Sequence, residues 1–113
     1  MSGLDAEDAK LVTLARGARA RVGAAEGAAV RDSHGRTYSG ATVALEHLQV
    51  SALALAVAQA AASGASGLEA AVVVTGQDAL AAADLTVVRD LAGGGVPVHH
   101  AATDGRLRAT TTT

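Results

Sequence analysis

The chain of 113 residues has no cysteine, phenylalanine or tryptophan, and each absence removes a class of explanation. Without cysteine there are no disulfides and no thiolate metal site, and a disulfide-stapled secreted framework is excluded with them. Any metal would have to be held by oxygen or imidazole. Tyr38 is the sole aromatic residue and Pro97 the sole proline. The core must therefore be assembled from Ala, Val and Leu, each of which buries little area, so an isolated monomer is expected to be marginally stable. Burial against further copies of the chain is the expected remedy.

Charge is equally sparse. Nine Arg and Lys stand against eleven Asp and Glu, with no run of five like charges, so neither a nucleic-acid partner nor a polybasic membrane contact is expected. The amino-terminal segment Met1 to Asp8 is acidic and lacks the apolar stretch of a signal peptide. The apolar stretch from Leu48 to Ala62 is interrupted by Gln49, Ser51 and Gln59 and falls short of the roughly 20 residues that span a bilayer. A single soluble, cytoplasmic domain covering residues 1–113 is expected.

Leu11, Leu14, Ala15, Ala18 and Val22 recur at helical spacing behind an acidic first turn, with Arg16, Arg19 and Arg21 toward the end that suits the helix dipole. Ala28 to Arg31 and Arg36 to Ala44 flank the turn sequence Asp32-Ser33-His34-Gly35 and predict a hairpin. From Leu45 to Ala62 the sequence is apolar on almost every face, which predicts a central helix covered all round. Leu68 to Thr75, with three successive valines, predicts a strand buried on both faces. Gly76-Gln77-Asp78 leads into a second helical stretch that Gly93-Gly94-Gly95 stops at Leu91-Ala92. Val96 to His100 and Leu107 to Thr110, separated by Thr103-Asp104-Gly105, predict two terminal strands, the last frayed. The order α-β-β-α-β-α-β-β implies a mixed sheet with helices packed on it.

Several of these segments carry a family resemblance. Gly27-Ala28-Ala29-Val30 followed by Asp32-Ser33-His34-Gly35-Arg36-Thr37-Tyr38-Ser39-Gly40 resembles the first hairpin of the small zinc cytidine deaminases. Ser51 to Gly64 is similar to the family's Cys-Ala-Glu-Arg-Ala-Ala helix, and Val72-Val73-Val74, Ala81 to Leu91 and Val96-Pro97-Val98 follow in the family's order. The resemblance implies a cytidine deaminase-like three-layer α/β/α fold with a mixed five-stranded sheet. It also implies a homo-oligomer, tetramer or dimer, in which alanine-rich helices meet between subunits. In such enzymes a Cys or His and a Pro-Cys-x-x-Cys segment hold zinc, while a Glu two residues after the first ligand moves protons.

Carried over residue by residue, the first ligand falls on Ser51 and the glutamate on Leu53. The Pro position is Leu80, and the two cysteine positions are Ala81 and Asp84. An Asn-x-Glu pair that grips the ribose in the family corresponds to Thr42 and Ala44, the loop from there to Ser51 is shorter, and the Pro-Tyr-Ser-type segment before the first strand is missing.

Zinc activates water by lowering its pKa from roughly 16 to about 7. A neutral serine and an alanine do not replace two thiolates, and loss of the general acid and base removes a further contribution of ~10²–10⁴ in rate. No catalytic residue, metal or cofactor is therefore assigned. Ser51, Leu53, Ala81 and Ala83 are expected to form ordinary core, and Asp84 to cap a helix beginning at Leu85. His99 and His100, adjacent on a strand, point to opposite faces and are expected at a surface or edge. Glu46 and His47 belong to a solvated turn or face a remnant pocket. His34 lies in the hairpin loop without an evident partner, and the three glycines act as a helix stop rather than a phosphate cradle.

The reading that follows is an inactive, zinc-less relative acting as an oligomeric scaffold or protein-partner-binding module. The alternatives are a pyrimidine nucleoside- or nucleotide-binding module, with Thr42 donating to the ligand, and a divergent cytidine deaminase.

Overall fold

The computed structural model describes residues 4–113. Of the acidic amino-terminal segment, Met1 to Gly3 lie outside the described residues. Helix α1 (Ala6–Val22) starts at Asp5, whose carboxylate accepts the Asp8 N–H at 2.8 Å, and ends at Gly23 in the left-handed region. Its inner stripe is Asp8, Leu11, Val12, Ala15 and Ala18. Leu14 and Val22, expected on that stripe, are 39% and 68% exposed. Leu14 lies off the stripe defined by positions 8, 11, 15 and 18, and Val22 is the last helical residue before the turn at Gly23.

Strands β1 (Glu26–Asp32) and β2 (Thr37–Ala41) form the expected hairpin, paired from Gly27 with Ala41 to Arg31 with Thr37. The chain then departs from expectation. Instead of entering a helix at Leu45 it forms a second small hairpin, β3 (Val43–Ala44) with β4 (Gln49–Val50), closed by a Leu45 N–H to Leu48 carbonyl bond of 2.8 Å. Helix α2 (Ala52–Ala62) begins only after Ser51, whose hydroxyl accepts the Ala54 N–H and so fixes the start as an N-cap. Nor is α2 covered all round within the chain: Ala52, Leu53, Ala56, Val57 and Ala60 are buried, whereas Ala58, Gln59, Ala61 and Ala62 are exposed.

Strand β5 (Leu68–Thr75), helix α3 (Ala82–Ala92), and strands β6 (Pro97–Ala101) and β7 (Leu107–Thr112) complete the chain. The last strand pairs along its length, from Ala101 with Leu107 to Pro97 with Thr112, and is not frayed at Thr110. The five-stranded sheet runs β2-β1-β5-β6-β7. Only β5 and β6 are parallel, joined through α3; the other neighbours are antiparallel.

Alternation along the strands divides the core in two. On one face Ala29, Ala70, Val72, Val74 and Ala101 meet Leu11, Val12 and Ala15 of α1. On the other, Ala28, Val30, Ala71, Val73 and Val98 meet Leu53, Ala56 and Val57 of α2 and Val88 of α3. The layers are thus α1, sheet, and α2 with α3: an α/β/α sandwich. Small side chains make this possible: Gly27 cannot carry even a methyl, and Gly40 has little room for one. A Cβ at Gly27 would stand 2.0 Å from the Ala15 carbonyl oxygen of α1, and one at Gly40 would stand 3.0 Å from the Ala52 carbonyl oxygen of α2.

Candidate functional site

The amino-terminal ends of α2 and α3 meet. Ser51 caps α2, and its hydroxyl donates to Asp84 Oδ1 at 2.7 Å while accepting the Ala54 N–H at 3.1 Å. The hydroxyl is thereby used both as donor and as acceptor. Asp84 does not cap a helix starting at Leu85. Helix α3 starts three residues earlier, at Ala82, so Asp84 lies inside its first turn, 5% exposed, while Ala81 occupies the cap position and makes no side-chain cap bond. A carboxylate in a first turn still suits the helix dipole, but its hydrogen bond goes to the other helix.

Leu53 is fully buried, in the cluster that includes Ala56, Val57 and Val88. Ala81 and Ala83, expected in the same core, are exposed on the outside of the first turn of α3. The region is therefore apolar core at Leu53, a polar pair at Ser51 and Asp84, and open surface at Ala81 and Ala83. Leu80, half-buried, packs against the core from the loop between β5 and α3.

Thr42 is already engaged. Its hydroxyl accepts the Glu26 N–H at 3.0 Å and lies 3.3 Å from the Glu26 carbonyl oxygen, to which its own N–H donates at 3.1 Å. These bonds close the open end of the β1–β2 hairpin. Ala44 is exposed on β3 and brings no polar side-chain atom. Glu46 and His47 stand in the β3–β4 turn with side chains 88% and 90% exposed, so they belong to a solvated turn. His34 is exposed in the first hairpin. Gly93 to Gly95 follow α3 and end it.

Both β6 histidines differ from expectation. They do point to opposite faces, but each is buried, His99 at 6% and His100 at 3% exposure, because β6 is flanked by β5 and β7 and is not an edge. His100 Nε2 donates to the Gln77 carbonyl at 3.0 Å, and Arg108 donates to the same oxygen at 3.0 Å, which pins the loop leading toward α3. On the α1 face, His99 Nε2 donates to Asp8 Oδ2 at 2.8 Å, and Nδ1 lies 2.8 Å from Thr110 Oγ1. Asp8 Oδ1 accepts from Arg31 Nη2 at 2.9 Å, and Arg31 Nε donates to Glu69 at 2.8 Å. Burial alone would push the Asp8 carboxyl up, but the bonds from His99 and Arg31 outweigh it and hold the group below the usual carboxylate range. Arg31 is shifted up by its two carboxylate partners against the opposing effect of burial. Nothing in the sequence analysis identified this network. The signal was visible, however: Asp8 is a carboxylate at helical spacing with Leu11 and Ala15, on the stripe that must face the sheet.

A third polar centre organises the first hairpin. Asp32, 2% exposed, accepts the N–H groups of His34 and Arg36 on Oδ1 at 2.9 and 3.0 Å and the Tyr38 hydroxyl on Oδ2 at 3.0 Å. Burial acts to raise its pKa, and these three donors lower it below the usual carboxylate value. Burial and the neighbouring carboxylate raise that of Tyr38.

Comparison with known proteins places this arrangement. A family model described as cytidine deaminase-like matches residues 4–105. Among solved structures, the chain is similar to a cytidine deaminase from Burkholderia pseudomallei, with a TM-score of 0.80 and 23% identity over 91% of this chain and 90% of that one. It is also similar to a cytidine deaminase from Mycobacterium leprae, with a TM-score of 0.75 and 18% identity over 96% and 94%. A third match, to a cytidine deaminase from Mycobacterium tuberculosis, has a TM-score of 0.73 and 22% identity over 92% and 90%. No curated protein matches the chain in sequence.

Proposed function

The chain belongs to the cytidine deaminase-like family, and we propose that it is a catalytically inactive member without a zinc site that works as an oligomeric scaffold or partner-binding protein. The observation that carries this reading is the hydrogen bond from Ser51 to Asp84 beside a fully buried Leu53. A catalytic zinc needs three protein ligands of imidazole, thiolate or carboxylate type and an open position for water. The corresponding residues offer one carboxylate, one neutral hydroxyl already bonded to it, and the methyl of Ala81. Among the described residues no three His, Cys, Asp or Glu side chains are grouped closely enough to hold a metal. The residues present do not fit the ion, and Leu53 places apolar volume where the proton-transferring carboxylate of the family would stand.

Self-association is supported by the outer face of α2. That helix contains no charged residue, and an apolar groove of about 280 Å³ runs between it and α3, lined by Ala54, Val57, Ala58, Ala61, Val87 and Leu91 with Asp90. A core lacking large aromatics gains most from covering such a face. Among the described residues no helix is long and apolar enough to cross a membrane. The nucleoside-binding alternative loses its anchor, because the Thr42 hydroxyl is committed to Glu26.

Sedimentation velocity at micromolar concentration tests the scaffold reading: a dimer or tetramer is expected, and a folded monomer contradicts it. Calorimetry against cytidine, uridine and their phosphates is expected to show no heat at millimolar ligand. Saturable heat would establish the binding module in its place.

A further inference from the structure

On the face of the sheet away from Ser51 and Leu53, three side chains from separate elements form an ordered relay. Asp8 of α1 is a carboxylate and accepts only, so its 2.8 Å contact fixes the hydrogen of His99 on Nε2. In the neutral ring Nδ1 is then left as an acceptor, and the group 2.8 Å from it is the Thr110 hydroxyl of β7. Hydroxyl, imidazole and carboxylate thus stand in the order that activates a nucleophile: a base within hydrogen-bond reach of the hydroxyl, and a third group that fixes the tautomer of the base. Arg31, bonded to the other oxygen of Asp8 and to Glu69, holds the carboxylate in place. His99 is buried, whereas Thr110 is an exposed residue of the edge strand, so the base is protected within the sheet and the threonine lies at the surface.

We infer that Thr110 is a base-activated hydroxyl at which the chain accepts acyl groups from activated donors of the aryl ester or thioester class. In the step, a bond forms between Thr110 Oγ1 and the donor carbonyl carbon while the Oγ1 proton passes to His99 Nδ1. Collapse of the tetrahedral intermediate breaks the bond to the leaving group. The phenolate or thiolate departs with the electron pair, and His99 gives its extra proton to the leaving group or to solvent. Asp8 remains ionised throughout and balances the transient imidazolium. Arg31 engages Asp8 through Nη2 and Glu69 through Nε, and its Nη1 is buried without a partner.

Thr111 and Thr112, exposed on the same strand, provide internal controls of equal chemistry without the histidine. The intact chain is treated with p-nitrophenyl acetate, and peptide mapping by mass spectrometry locates the acetyl esters. General-base assistance of ~10²–10⁴ predicts at least ~10-fold more label on Thr110 than on Thr111 or Thr112, and loss of that excess in His99→Gln. Equal labelling of the three threonines, or no ester on any of them, overturns the assignment. So does undiminished labelling of Thr110 in His99→Gln. The ratio within the unaltered chain stands even where the variant fails to fold.

Discussion

The two faces of the sheet use the same apolar alphabet and opposite polar strategies. Beneath α2 and α3, alanine, valine and Leu53 fill the space, and the polar atoms at the helix ends are reduced to the single bond between Ser51 and Asp84. Beneath α1, a smaller cluster is crossed by a network joining Asp8, His99, Thr110, Arg31 and Glu69 across five elements. The first face carries Ser51, Leu53 and Asp84, the positions that the sequence resemblance aligns with the family's site, and it is the less polar of the two. Apolar packing dominates one face, joined there by the Ser51–Asp84 bond and by Tyr38 with its Asp32 partner, while on the other face charge pairing fastens α1 to the sheet.

The largest expected effect falls on the apolar face. Leu53→Glu places an unpaired carboxylate in a fully buried position and is expected to destabilise by at least ~3 kcal/mol. Leu53→Ala is expected to cost about 2–5 kcal/mol through the cavity it leaves. Thermal or urea melts measure both, and a glutamate variant as stable as the parent would mean that the position opens to water.

On the other face, Arg31→Met leaves Asp8 and Glu69 without their shared cation. A fully buried pair would lose about 3–5 kcal/mol when one partner is removed. Because the Glu69 side chain is 48% exposed, the expected loss is smaller, about 2–3 kcal/mol. A loss within error of zero in urea unfolding would show that apolar packing alone holds α1.

Acid tests the two buried carboxylate centres without mutation. The Asp8 and Asp32 carboxyls lie lower in the folded chain than in the unfolded one. Their stabilising contribution is therefore complete above the unfolded value near 3.8 and is lost as pH falls through the folded values. Hydrogen exchange is expected to show α1 and the first hairpin opening below about pH 4, ahead of α2 and α3. Simultaneous opening of all helices would remove the distinction.

Much of this organisation was legible in the residues. Three valines in a row marked β5, Asp32 to Gly35 marked the hairpin turn, and Gly93 to Gly95 marked the end of α3, because each acts through local backbone preference. The start of α2 falls later than expected because Leu45 and Leu48 are apolar yet exposed in the small second hairpin, at 61% and 53%, and Ser51, read only as an interruption of the apolar run, caps the helix. Asp84 was legible as a residue of helix onset but not as the partner of Ser51, 33 positions earlier. The burial of His99 and His100 depended on β7 pairing outside β6, and Asp8 is 91 residues from His99. Contacts of such range leave no spacing pattern in a single sequence.

The smallest expected effect is at Ser51. Ser51→Ala removes the cap of α2 and the partner of Asp84, with an expected cost of about 1–2 kcal/mol in thermal unfolding. A larger loss would assign that polar pair more of the stability than the surrounding core.

The purified chain, equilibrated with zinc and then given cytidine, tests directly the proposal that this face keeps the frame of a deaminase without its chemistry. The account predicts no stoichiometric retention of zinc by metal analysis and no uridine by chromatography. One zinc per chain together with uridine formation would contradict it.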